Sequence, residues 1–157
     1  MTANQNQVGG IHYKADYQHW DFVIITGMGY LEGCSTKYVT RWRKAKGIED
    51  LLKGQHYLEK LIESYDIYNI PELRMDGARL KEETDKFAKA NNLIQMERDF
   101  IYLLSSFQSR EDLVEAMALL VWIVTGAEAR DLTRARGEPT WPGTPENGGH
   151  HSKQEDV

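Results

Sequence analysis

The chain has 157 residues, 41% of them hydrophobic, and a formal net charge of −5. That length suits one compact domain with a core of useful size, and the acidic balance argues against the broad basic surface of a nucleic-acid-binding protein. The charge is uneven, +1 over residues 1–65, −3 over 66–137 and −3 over 138–157, so a local basic patch for a small anionic ligand remains compatible.

Residues 1–10 are polar, lack the apolar core of a signal peptide and read as a flexible arm. Trp20 to Thr26 is apolar and β-branched, as in a strand. No second strand-like segment exists to pair with it, so a short helix over about Tyr17–Gly27 is expected, ended by Gly27 and Gly29. A second helix is expected over about Leu31–Lys46, stopping at Gly47. The third carries Ile48, Leu51, Leu52, Leu58, Leu61, Ile62 and Tyr65 at helical spacing, with Glu49 and Asp50 in its first turn. Gly54 lies inside it at a cost of about 1 kcal/mol relative to alanine, which points to close packing against the second helix.

Residues 66–77 form a connector punctuated by Pro71 and Asp76-Gly77. It divides an N-terminal helical module, 11–65, from a C-terminal one, 78–137. A fourth helix over about Ala78–Ala90 puts Leu80, Thr84, Phe87 and Ala88 inward. A fifth, about Leu93–Phe107, does the same with Met96, Phe100, Ile101, Leu104 and Phe107. Ser109 and Asp112 resemble a capping box opening the sixth, about Arg110–Arg134. This last helix is apolar nearly all round from Val114 to Val124 and is expected to be the most buried. Residues 138–157 hold three of the four prolines and read as a disordered tail. The fold expected is all-α, a compact bundle of about six helices. The apolar faces of the first and sixth exceed what a chain this size hides alone, so a homo-oligomer is expected.

The longest apolar run, Ala116 to Thr125, falls far short of the roughly 20 residues that cross a bilayer, so no membrane partner is expected. Cys34 is the only cysteine; no internal disulfide can form, and a reducing cytoplasm is the natural setting. The chain has no P-loop, no G-x-G-x-x-G after a strand, no G-x-S-x-G and no H-E-x-x-H.

The positive signal is basic. Lys37, Arg41, Arg43, Lys44 and Lys46 fall within ten positions without an acid. On a helix Lys37, Arg41 and Lys44 share one stripe, with Tyr38 and Trp42 beside it. Two readings stand. The stripe holds phosphate, with Lys53 adding a fourth cation; or it is a solvated face with Asp50–Lys53 as a surface pair. His12, with Tyr13 before the first helix, is a candidate acid or base. Glu83 and Glu97 sit on the inner faces of the fourth and fifth helices, where a carboxylate needs a cation. With Glu82 they could hold Mg²⁺; alternatively each pairs with Arg79, Arg98 or Arg110.

Ile11-His12-Tyr13, then Gly33…Lys37-Tyr38-Val39-Thr40-Arg41…Lys44, then Asp50-Leu51…Lys53-Gly54…Tyr57-Leu58 resemble the SaV-like family of small bacteriophage proteins over about residues 11–65. Cys34 stands where that pattern has Asn, and Gly54 where it has Ala. The family includes a nucleotide kinase that lacks a P-loop. The resemblance implies a phage protein of nucleotide metabolism in the host cytoplasm, with a nucleotide as ligand. It also implies ATP and Mg²⁺ as cofactors, Lys37, Tyr38, Arg41, Lys44, Lys53 and Tyr13 at the phosphates, and Asp50 or His12 as base. Residues 80–104 are similar to all-α nucleotide pyrophosphohydrolases, whose Mg²⁺ site uses EE-x-x-E and E-x-x-D. Glu82-Glu83 and Glu97 match, while Lys86 and Phe100 replace the remaining acids. The alternatives to a kinase are thus a Mg²⁺-dependent hydrolase and a protein that sequesters a nucleotide without turnover.

Overall fold

A computed structural model describes residues 2–5, 8, 15–70 and 72–137. It is all-α. The helices are α1 (His19–Thr26), α2 (Tyr30–Arg41), α3 (Ile48–Glu63), α4 (Gly77–Ala90), α5 (Gln95–Ser106) and α6 (Arg110–Arg136), with a 3₁₀ turn at Trp42–Lys44. No strand occurs among the described residues. His12 and Tyr13 lie outside them, as does the tail 138–157.

Helices α2 and α3 form the tightest pair, α6 packs on α3 and α5, α4 lies on α5, and α1 bridges α4 and α2. One apolar cluster runs through both sequence modules, from Phe22 and Leu51 to Phe100 and Leu120. Phe22 stacks on Phe87 with ring centroids 4.5 Å apart, joining α1 to α4. The α2–α3 crossing explains Gly54: a Cβ there would stand 3.2 Å from the Ser35 carbonyl oxygen and 3.3 Å from Val39 Cγ2. The Ser35 hydroxyl donates to the Gly54 carbonyl at 2.8 Å, tying the two helices at that point.

The local stop signals act as the sequence indicates. Gly27 ends α1 at φ 76°, its N–H donating to the Val23 carbonyl. Ser109 and Asp112 cap α6 reciprocally, at 3.2 and 3.0 Å. The backbone N–H of Gln108 is the main cause holding the Asp112 carboxyl below its usual range.

Three expectations need correction. Helix α2 stops at Arg41 rather than Lys46, because the chain tightens at Trp42–Lys44 and turns at Gly47 (φ 60°). Met96 is 37% exposed rather than core. Helix α6 is not buried all round: Val114, Val121 and Trp122 are 54%, 45% and 67% exposed, since α3 and α5 cover only its other side. Asn4 Nδ2 donates to Asp21 at 2.9 Å, and Gln18 Nε2 donates to the Asn4 carbonyl at 3.0 Å. No helix among the described residues is long and apolar enough to cross a membrane.

Candidate functional site

The turn after α2 decides where the basic residues go. Three steps of 3₁₀ geometry, at about 120° each instead of about 100°, rotate Lys44 roughly 60° off the Lys37–Arg41 stripe. Two buried carboxylates hold this turn. Asp50 is fully buried. It accepts Arg41 Nε at 3.1 Å and Nη2 at 3.0 Å, and the backbone N–H of Lys46 at 3.3 Å. It is therefore a pin between α2 and α3 rather than the surface partner of Lys53 or an available base.

Glu97 is the second, also fully buried. It accepts the Trp42 indole N–H at 2.7 Å, Arg43 Nη1 at 2.8 Å and the backbone N–H of Ile94 at 2.9 Å. Arg43 Nη2 stands 2.6 Å from the same carboxylate at an angle too poor for a hydrogen bond. Its partner is thus Arg43, outside the arginines weighed from sequence, and one side chain fixes both the 3₁₀ turn and the start of α5.

The consequence is a cleft of about 630 Å³ walled by three segments distant in sequence. Thr40, Trp42–Lys44 and Gly47–Ile48 form one side, Asn91–Ile94 the second, and Ala127, Arg130, Asp131 and Arg134 of α6 the third. That volume lies in the ~300–1,000 Å³ range of small-molecule sites. Arg43 is neutralised by Glu97, and its guanidinium lies 4.5 Å from the Trp42 ring centroid. Among the described residues, Lys44, Arg130 and Arg134 are in no ion pair, and Asp131 is the only acid in the lining. Apart from the Arg43–Glu97 pair, the lining therefore carries three cations to one anion. Ile48, Leu93, Ile94 and Ala127 supply its apolar surface.

The remaining candidates gather elsewhere. Lys37, Arg41 and Lys53 surround the Tyr38 ring, their cationic groups 4.9, 4.8 and 5.8 Å from its centroid, and Tyr38 stacks on Tyr57 at 5.8 Å. Arg41 there answers Asp50. Lys53 Nζ lies 2.6 Å from Glu49, whose carboxyl is held below its usual range first by that hydrogen bond and then by Lys46. His19 packs against Phe87, with Nε2 2.8 Å from Thr36 Oγ1. Burial, then the Lys37 charge, lowers its pKa to about 4.

Glu82, Glu83 and Glu97 do not converge. Glu82 pairs with Lys86 at 3.0 Å on the surface, and Glu83 accepts the Tyr17 hydroxyl at 3.1 Å and lies 3.2 Å from Lys86. No group of three or more His, Cys, Asp or Glu among the described residues is placed to hold a metal ion. These residues do not fit Mg²⁺.

Arg130, Asp131 and Arg134 carry no signal in the sequence beyond their place near the end of the sixth helix. Their i, i+4 spacing put Arg130 and Arg134 on one face, but nothing local marked what that face meets. Glu32 was also missed. It is fully buried on α2 and accepts the Gly29 N–H at 2.8 Å and the Tyr68 hydroxyl at 2.6 Å, anchoring the connector. Comparison with protein-family models, curated proteins and solved structures returns no match.

Proposed function

We propose that this protein binds a nucleotide in the cleft, with the phosphates against Lys44, Arg130 and Arg134 and the base over the apolar lining. The observation that carries the reading is three cations without ion-pair partners around one cavity in a chain of net charge −5. Such cations favour a phosphate through charge-assisted hydrogen bonds, arginine in bidentate fashion. The resemblance over residues 11–65 suggests the nucleotide and the kinase chemistry, and the three cations support phosphate as the group held in the cleft.

Phosphoryl transfer asks a protein mainly for positioning and charge neutralisation, and the cations lining the cleft support the second of these. Asp131 is the acid in position to approach a ligand there, whereas Asp50 is committed to Arg41. The hydrolase reading has no assembled carboxylate site to rest on. Sequestration without turnover uses the same contacts as the first half of a kinase cycle.

Equilibrium dialysis with deoxynucleoside monophosphates, ATP and the matching nucleosides tests the binding. Phosphorylated ligands should bind and nucleosides should not; equal binding, or none, would sink the proposal. Incubation of a bound monophosphate with ATP and Mg²⁺ then separates a kinase, which yields diphosphate, from a protein that only retains its ligand.

A further inference from the structure

The inner edge of α6 is accounted for: Leu113, Ala116, Leu120, Ile123 and Ala127 are buried against α3 and α5. A second stripe on the same helix is not. Val114, Ala118, Val121, Thr125, Glu128 and Leu132 are all exposed. Their spacing is 4, 3, 4, 3, 4, the alternation of a coiled-coil seam, and it runs for about 27 Å of helix at 1.5 Å per residue. Trp122, the most exposed of the large apolar side chains on α6 at 67%, flanks the middle of the stripe. Val114, Val121, Trp122 and Leu132 are large apolar side chains left exposed along one helix, and grouped exposed apolar side chains mark an interaction site.

The charges at its ends choose the occupant. Glu111 and Glu115 are exposed at the start of α6, and Arg136 is exposed at its last turn. We propose that this face pairs with α6 of a second copy of the chain, antiparallel about a two-fold axis near Ile123. That register sets Val114 against Leu132, Val121 against Thr125 and Ala118 against Glu128 of the partner copy. Small Ala118 leaves room for the one acid on the seam. The two Trp122 rings meet beside the axis, and each Arg136, level with residue 110 of the partner copy, comes beside its Glu111 on the same flank of the seam. A parallel pair would instead set Glu111 and Glu115 against their own copies, which is unfavourable. The interface is isologous, as two-fold dimers require. It does not depend on the nucleotide reading, because the stripe lies apart from the cleft-lining residues of α6.

Sedimentation equilibrium on the full chain tests it, alongside single-cysteine cross-linking in a Cys34→Ser background. A dimer is expected, with Trp122→Ala weakening it at least tenfold, as central aromatic residues of an interface do. Leu132→Glu, an exposed position in the last turns of α6, should also give a monomer; with unchanged helical circular dichroism and melting, it guards against misfolding at Trp122. Val114→Cys and Leu132→Cys chains should cross-link to one another and neither to itself. Self-linked Val114→Cys would overturn the antiparallel arrangement. A monomeric full chain at high micromolar concentration would overturn the dimer, and if deleting residues 138–157 then produced one, the tail would be the occupant.

Discussion

Glu97→Ala separates a structural pin from a metal ligand, and its cost follows from the contacts. The carboxylate is fully buried and serves the Trp42 indole, the Arg43 guanidinium and the Ile94 N–H. Removing one partner of a buried ion pair costs about 3–5 kcal/mol. The Arg43 side chain retains 25% exposure and so recovers some hydration, which places the expected loss near the lower end, about 3 kcal/mol. For a chain of this size that lowers the melting temperature by about 6–12 °C. Urea denaturation by circular dichroism reads the loss directly, and Glu82→Ala, which breaks only a surface pair, should stay within about 0.5 kcal/mol. A loss below about 1 kcal/mol for Glu97→Ala would refute the reasoning. So would Mg²⁺ stabilisation of the wild type that this variant abolishes.

Three further outcomes follow. Asp50→Ala and Arg41→Ala should each destabilise, the former by about 3 kcal/mol because it strands a guanidinium. The double variant should cost well below their sum in a denaturation cycle, and strict additivity would deny the pair. Gly54→Ala gains about 1 kcal/mol of helix propensity but crowds the Ser35 carbonyl and Val39. Overpacking of about 1–3 kcal/mol should leave it about 1 kcal/mol less stable, and a raised melting point would show that α2 yields. His19 has its pKa lowered from 6.5 to about 4, first by burial. Between those values the unfolded chain binds the extra proton, so stability falls as pH drops from about 6.5 toward 4, by about 3 kcal/mol at most. His19→Asn should flatten the denaturation free energy between pH 7 and 4.5 relative to wild type, and parallel curves would contradict the assignment.

The helices were legible because their signals are local. Gly27, Gly47, Asp76-Gly77 and Ser109–Asp112 mark ends by backbone geometry or capping, and Gly54 announced the α2–α3 contact by its cost in a helix. The candidate cleft was not legible, because it is made where residues 40–48, 91–94 and 127–134 meet. Helical periodicity carried Lys44 along the α2 stripe. The switch to 3₁₀ geometry depends on Trp42 and Arg43 reaching Glu97, a contact between modules that no local pattern encodes. Asp50 reads from sequence either as a candidate base or as a surface partner of Lys53, three positions on, yet its partner Arg41 lies across the turn. The apolar run of α6 concealed two stripes, one buried and one exposed, since composition does not say how many neighbours a helix has.

The most direct test of the central claim is titration calorimetry of a deoxynucleoside monophosphate, one that the wild type binds, against Arg130→Glu, Arg134→Glu and Lys37→Glu chains. Each charge-assisted contact is worth about 1.5–3 kcal/mol, so either cleft reversal should weaken binding at least tenfold, while Lys37→Glu, at the separate Tyr38 cluster, should leave it within about threefold. Binding lost with Lys37→Glu and kept by both cleft variants would contradict the account and move the phosphate to α2.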